Sequence, residues 1–174
     1  ENLKRIRKDK KVRLYSANYK EKGIVELDIR NVSIENDDSW GKYPKAVIKA
    51  VLDEGYKAGN GFDIYYKGNI PTSSGLSSSA SIEVLTAYVL KDLWHLDMDL
   101  KKLSLICQKS ENVYIGVKCG IMDQFVIANG KKGNALYLNT DKLNYEYVPL
   151  DLKDCCILIM NTNKPRNLVE SKYN

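Results

Sequence analysis

The alternation of apolar and polar residues changes period several times along the chain, and each change marks an element. Val12 to Tyr15 and Ile24 to Ile29 alternate on either side of Glu21-Lys22-Gly23, which predicts two strands joined as a hairpin. From near Ser39, apolar residues at Trp40, Tyr43, Val47, Val51 and Leu52 recur with helical spacing until Gly55 and Gly59-Asn60-Gly61 end the run. Phe62, Ile64 and Tyr66 return to a period of two and predict a strand leading into the small-residue segment from Pro71 to Ala80. Ile82, Leu85, Val89 and Leu93 predict a helix directly after it. Leu103, Ile106, Cys107 and Val113 suggest a further helix, and a short helical stretch after Asp123 is one that Gly130 can close. Three strand-like runs follow at Ala135 to Leu138, Tyr145 to Pro149 and Ile157 to Asn161. The segment from Pro165 to Asn174 reads as the start of another helix, with proline suited to its first turn. No repeat or low-complexity linker interrupts this order, so residues 1–174 read as one α+β domain.

Composition narrows the class without naming a function. A chain of 174 residues, 44% hydrophobic and 28% charged, can bury one core and is not disordered. The net charge of +5 owes much to Lys4-Arg5-Ile6-Arg7-Lys8-Asp9-Lys10-Lys11. Such a run can touch nucleic acid, but short charge runs more often form a solvated strand edge or a frayed terminus, which is the reading adopted here. No nucleic-acid or membrane partner is therefore expected. Four cysteines, no CxxC pair and the single histidine His95 make a zinc site a poor fit. Cys107 and the pair Cys155-Cys156 lie in apolar runs and read as small buried hydrophobes of a reducing cytosol. No apolar stretch reaches the length of a membrane span and the start does not resemble a signal peptide, so a cytoplasmic protein is expected. The chain opens on Glu1 and stops within the helix-like Ser171-Lys172-Tyr173-Asn174, which reads as a fragment of a longer protein.

The segment Pro71-Thr72-Ser73-Ser74-Gly75-Leu76-Ser77-Ser78-Ser79-Ala80 is where chemistry is most legible. Serine and glycine let backbone approach a phosphate closely, and a following helix aims its unpaired N–H groups and positive dipole end at the same place. A Ser-rich linker or a plain helix cap has the same composition, but a linker does not usually run from an alternating strand straight into an amphipathic helix. A Walker loop is excluded because no Gly-Lys-Ser or Gly-Lys-Thr ending is present.

The order Gly75-Leu76-Ser77-Ser78-Ser79-Ala80 resembles the phosphate loop of the GHMP kinases, and Cys119-Gly120-Ile121-Met122-Asp123-Gln124-Phe125 resembles the motif carrying the catalytic aspartate in galactokinase-like members. The resemblance runs from about Val12 to Asn174. It implies the N-terminal, ATP-binding domain of that family, with a mixed sheet and packed helices in the manner of ribosomal protein S5 domain 2. It further implies Mg-ATP and galactose as small-molecule partners, transfer of the γ-phosphoryl group to the sugar's C1 hydroxyl, and a monomeric full-length protein.

Carried over residue by residue, the resemblance assigns the backbone of Ser73, Ser74, Gly75, Leu76, Ser77, Ser78 and Ser79 to the nucleotide phosphates. Ser79 and Glu111 become the magnesium ligands, Asp123 the base, and Gly120, Asp123 and Tyr173 the sugar contacts. Trp40 corresponds to a tryptophan against the adenine, and equally fits a core aromatic on an amphipathic helix. Asp123 by itself also reads as an N-cap, Glu111 as a surface helix residue and Gly120 as a turn glycine. Ser73 departs from the glycine usual at its position, so its backbone must tolerate a Cβ, and Pro165 departs from the basic or small residue often found there. The family's Gly-Glu-His-Thr-Asp-Tyr sugar motif and an upstream arginine would precede residue 1, and a glycine-rich motif and second domain would follow residue 174. The fragment alone is accordingly expected to be inactive. Other readings are a non-catalytic galactose- and ATP-binding regulator and a related kinase acting on N-acetylgalactosamine.

Overall fold

A computed structural model describes residues 2–35, 39–71 and 74–160. Strands β1 (Asn2–Ile6), β2 (Lys11–Ser16), β3 (Ile24–Asp28) and β4 (Phe62–Tyr66) form one sheet in the order β1-β4-β2-β3. It is mixed: β2 and β4 run parallel in its centre, while β1 and β3 flank them antiparallel. The period-two pattern explains which face is covered. Val12 and Leu14 of β2 and Phe62, Ile64 and Tyr66 of β4 all point to one side and are almost fully buried. The predicted hairpin is present, β2 pairing with β3 in register from Lys11↔Asp28 to Tyr15↔Ile24. A single 3₁₀ turn at Lys20–Lys22 lies in the connection.

Helices α1 (Lys42–Asp53), α2 (Ser78–Leu93), α3 (Leu100–Lys109) and α4 (Met122–Asn129) supply the second layer. α1 buries Ala46, Val47, Ala50 and Val51 at helical spacing, as its sequence pattern requires. α2 touches α1, α3 and α4, and its buried residues, from Ala80 through Val84 and Ala87 to Leu90, occupy more than one face. Asp99 caps α3 by accepting a hydrogen bond from the Lys102 amide at 2.7 Å. Beyond α4, strands β5 (Asn134–Asn139) and β6 (Asn144–Pro149) form a separate two-stranded sheet. Tyr147 ties that hairpin to the helical layer by donating to the Asn129 carbonyl at 2.7 Å, and Tyr145 packs edge-on against Phe125. No helix among the described residues is long and apolar enough to cross a membrane.

The basic run at the start is the edge strand β1 and the turn after it. Several of its cations are matched within the fold: Arg5 and Arg7, with Arg13 of β2, converge on Asp63, Arg7 also pairs with Asp9, and Lys4 pairs with Asp92. Those arginines, Arg13 foremost, hold the Asp63 carboxyl well below the usual carboxylate range.

Three expectations are corrected. The helix drawn through Val113 ends at Lys109, and the chain continues as a wider π-helical turn, Ser110–Ile115, in which Val113 is exposed. Residues 157–160 form no strand, and Ile157 to Met160 are all more than half exposed. Apolar sequence becomes a strand only beside a partner strand, and none of the described residues offers one here. For the same reason Cys155 and Cys156 are exposed and not buried, whereas Cys107 is buried in the core as expected. Asn161, Ser73, Tyr173 and the helix expected over Pro165 to Asn174 lie outside the described residues.

Candidate active site

In the loop between β4 and α2, two of the described residues adopt the left-handed region before the helix begins. Gly75 has φ +77° and Ser77, immediately ahead of the first helical residue, has φ +54°. Glycine adopts that conformation freely, but a residue with a Cβ does so under strain. Ser74 steadies the loop by donating from its hydroxyl to the Pro71 carbonyl at 2.7 Å. The first bond of α2 runs from the Ser81 amide to the Ser77 carbonyl, so the amides of Ser78, Ser79 and Ala80 have no acceptor within the helix. These N–H groups and the positive helix end face the loop that precedes them.

Ser77 makes a contact that links two distant motifs. Its hydroxyl donates to Asp123 Oδ2 at 2.6 Å, bringing the first turn of α4 against the start of α2. Asp123 does not cap α4; Ile121 occupies that position, and the carboxylate stands half-exposed beside the loop that precedes α2. Gly120, three residues earlier, has no heavy atom within 4 Å of where a Cβ would project, so the space beside it is open.

Glu111 is carried by the π-helical turn after α3, a distortion of the kind often found where a side chain is aimed at a site. Only 3% of its surface is exposed, yet it has several donors. Gln124 Nε2 lies 2.6 Å and Cys119 Sγ 3.3 Å from Glu111 Oε2, and the Ser79 hydroxyl lies near enough to favour the charged form of this carboxyl. Burial pushes the carboxyl above its ordinary range, and the nearby charge of Asp123 pushes the same way, against the pull of the three donors. Burial and then the Glu111 charge push the Cys119 thiol up to about 12, which leaves it protonated and unreactive.

A cleft of about 760 Å³ opens beside this constellation, with Trp40, Tyr43, Tyr66, Lys67, Ser78 and Ser79 among the residues in its wall. Trp40 packs in the hydrophobic core, meets Tyr66 edge-on at 5.6 Å, and also forms part of the wall of this cleft. Its indole Nε1 is buried without an acceptor among the described residues. A shallower groove of about 360 Å³ on the outer face of the sheet is far from these groups in sequence and is lined by the Asp63 ion-pair cluster.

The fold thus assembles Ser77, Ser79, Glu111 and Asp123, drawn from three separate stretches, and puts Trp40 in the adjoining cleft. Sequence reasoning assigned no role to Glu83 or to Gln124. Glu83 lies one turn along α2 from Ser79 and is fully buried, 3.3 Å from the same Gln124 amide that serves Glu111. A lone carboxylate amid Ile82, Val84 and Leu85 was the available signal.

The family model described as the GHMP kinases N terminal domain matches residues 42–131. A galactokinase of Fusobacterium nucleatum is 52% identical over 168 residues, which are 97% of this chain and 43% of that protein. A galactokinase of Lactococcus lactis is 48% identical over 172 residues, 99% of this chain and again 43% of that protein. The chain therefore spans less than half the length of these curated relatives. The crystal structure of Lactococcus lactis galactokinase complexed with galactose matches with a TM-score of 0.93 at 48% identity, over 99% of this chain and 44% of that one. Methanococcus jannaschii mevalonate kinase, at 22% identity and a TM-score of 0.64 over 73% of this chain and 40% of that one, shares the fold. Because the family model spans just over half of the chain, and its span contains both the small-residue loop ahead of α2 and the aspartate that Ser77 holds against it, the chain belongs to the GHMP kinase family.

Proposed function

We propose that this chain is the N-terminal, ATP-binding domain of a galactokinase, which transfers the γ-phosphoryl group of ATP to the C1 hydroxyl of α-D-galactose. The observation that carries this reading is the 2.6 Å hydrogen bond from Ser77 to Asp123, because it puts a carboxylate at the mouth of the phosphate loop. The amides at the start of α2 and the loop backbone from Ser74 to Ser79 bind the phosphates of ATP, with Trp40 beside the adenine. Asp123 accepts the proton of the C1 hydroxyl as that oxygen bonds to the γ-phosphorus and the bond to ADP breaks. The open space beside Gly120 gives the sugar room to approach Asp123. Galactose as acceptor is supported by the identity to galactokinases and by the galactose in the Lactococcus lactis complex.

Ser79 and Glu111 suit a magnesium ion. Both are oxygen donors, the Ser79 hydroxyl lies near the Glu111 carboxyl, and a buried carboxylate gains most from a cation. When bound with ATP, that ion neutralises phosphate charge. Free thiols at Cys107 and Cys119 agree with a reducing compartment such as the cytoplasm.

The test is a coupled assay on the full-length protein with ATP and galactose. Galactose-dependent ADP release is the expected result, and Asp123→Asn should reduce it by roughly 10²–10⁴-fold while nucleotide affinity stays nearly unchanged. Binding of both ligands without turnover would identify a regulator instead, and preference for N-acetylgalactosamine would move the substrate. The 174-residue chain alone is expected to release no ADP above background, since it spans less than half the length of the galactokinases it resembles.

A further inference from the structure

Glu83 is completely buried on α2, and among the described residues no lysine, arginine or histidine pairs with it. Its Oε2 accepts a hydrogen bond from Gln124 Nε2 at 3.3 Å, while its Oε1 has no partner. Gln124, also buried, uses the same amide nitrogen to donate to Glu111 Oε2 at 2.6 Å, and its own Oε1 is likewise without a partner. An amide NH₂ has two hydrogens, so one nitrogen can hold two carboxyl groups at once. Glu111 belongs to the site; Glu83 lies behind it, away from solvent, on the helix that also carries Ser79.

We propose that Gln124 and Glu83 are positioning residues for Glu111: the Gln124 amide bridges the two carboxyl groups, and Glu83, in its neutral form, anchors that amide so that Glu111 stays turned toward Ser79. This inference rests on the reading of Glu111 as a cation ligand. Two ionised carboxylates on one amide, without a cation and out of water, would repel each other and leave the bridge unstable. A proton on Glu83 removes that repulsion and converts one of two orphaned acceptors into a donor. Burial, and then the neighbouring Glu111 charge, push the Glu83 carboxyl well above its ordinary range, consistent with the neutral form. The sequence position of Gln124 adds a consequence. It adjoins Asp123, so the first turn of α4 is held at two points, by Ser77 through Asp123 and by Glu111 and Glu83 through Gln124. The proposed base and the proposed metal ligand are thereby set against each other by one rigid turn.

The experiment measures Mn²⁺ binding to the full-length protein by electron paramagnetic resonance in the presence of a non-hydrolysable ATP analogue, with unfolding midpoints recorded for every variant. Gln124→Met, which keeps the volume and removes the amide, should weaken Mn²⁺ binding by about 10–100-fold. Glu83→Leu should weaken it similarly, and Glu83→Gln, neutral and close to isosteric, should restore affinity to within about twofold of the parent. Parent-like binding by both Gln124→Met and Glu83→Leu would overturn the proposal, as would loss of affinity in a folded Glu83→Gln, because that result would require a charge at Glu83. The Glu83→Gln result decides the matter even if Gln124→Met does not fold. Glu111→Gln separates this inference from the reading beneath it. If that variant binds Mn²⁺ as the parent does, Glu111 is not a ligand and both fall; if it loses binding while Gln124→Met keeps it, only the positioning role fails.

Discussion

At the scale of single residues, Ser77 carries two opposed effects. Its left-handed backbone strains any residue with a Cβ, and its hydroxyl gains a bond to a carboxylate. Ser77→Ala loses the bond and keeps the strain; Ser77→Gly loses the bond and relieves it. Left-handed geometry costs about 1–2 kcal/mol for a non-glycine residue, partly offset by the greater unfolded-state entropy of glycine. Urea denaturation should therefore find the glycine variant more stable than the alanine variant by about 1 kcal/mol. A reversed order would mean that the loop relaxes when the Asp123 contact is lost. Gly61 is the converse case, because a Cβ there would lie 2.0 Å from the Lys11 carbonyl oxygen. The turn between β1 and β2 passes so close to the start of β4 that Gly61 bonds both Arg7 and Asp9 through its backbone. Gly61→Ala should destabilise by about 3 kcal/mol, read as a lower denaturation midpoint.

At the scale of elements, α1 is fastened to α3 by one carboxylate. Glu54, just beyond the end of α1, pairs with Lys102 and Lys109, and the two ammonium groups lower its carboxyl from 4.5 to about 2. A carboxyl depressed in the folded state contributes stability that is fully present above its unfolded value and lost as pH falls toward its folded one. The contribution should thus fade between about pH 5 and pH 2, and Glu54→Gln should make thermal stability less sensitive to acid over that window. The effect should be modest, because the ammonium groups of Lys102 and Lys109 are more than a third exposed and solvent screens both pairs. An unchanged acid profile would show that other carboxylates, Asp63 first among them, dominate. The elements themselves were unevenly legible. β2, β4 and α1 follow directly from periods of two and 3.6, since each buries a single apolar set; α2 was placed by the same period, but it is buried on more than one face and Ile82, Leu85 and Leu93 are only partly covered. β1 does not alternate in hydrophobicity, and its strand character depends on pairing with β4 and on Asp63, remote in sequence. The π-helical turn also left no periodic trace, because it widens the helix by one residue without changing composition.

At the scale of the whole molecule, the described residues end in an apolar run that nothing among them covers. Ile157, Leu158, Ile159 and Met160 are 62–82% exposed, and the run from Cys155 contains no charge and no proline. Such a segment is prone to intermolecular strand pairing. The 174-residue chain should therefore self-associate as concentration rises, and Ile157→Lys with Ile159→Lys should lower its light scattering; equal scattering would locate the adhesive surface elsewhere. This is also where local reading failed most clearly. Cys155 and Cys156 look buried in sequence, but burial is a property of a surface facing another surface, and no residue can report it alone.

The candidate site divides along the same line. The small residues from Ser74 to Ser79 were enough to suggest an anion cradle, because close backbone approach requires them; Asp123 by itself read as a helix cap, and only the resemblance of its run to a known motif gave the carboxylate a chemical part. Their union was a tertiary event. Ser77 and Asp123 are 46 positions apart and meet only because α4 packs against α2, while Glu111 reaches Ser79 from a turn that α3 does not continue. Glu83 and Gln124 became visible only through burial and shared hydrogen bonds. The sequence by itself determined which chemistry the chain could carry; the packing of three helices decided which groups meet, because distance between side chains is set by the fold and not by their separation along the chain.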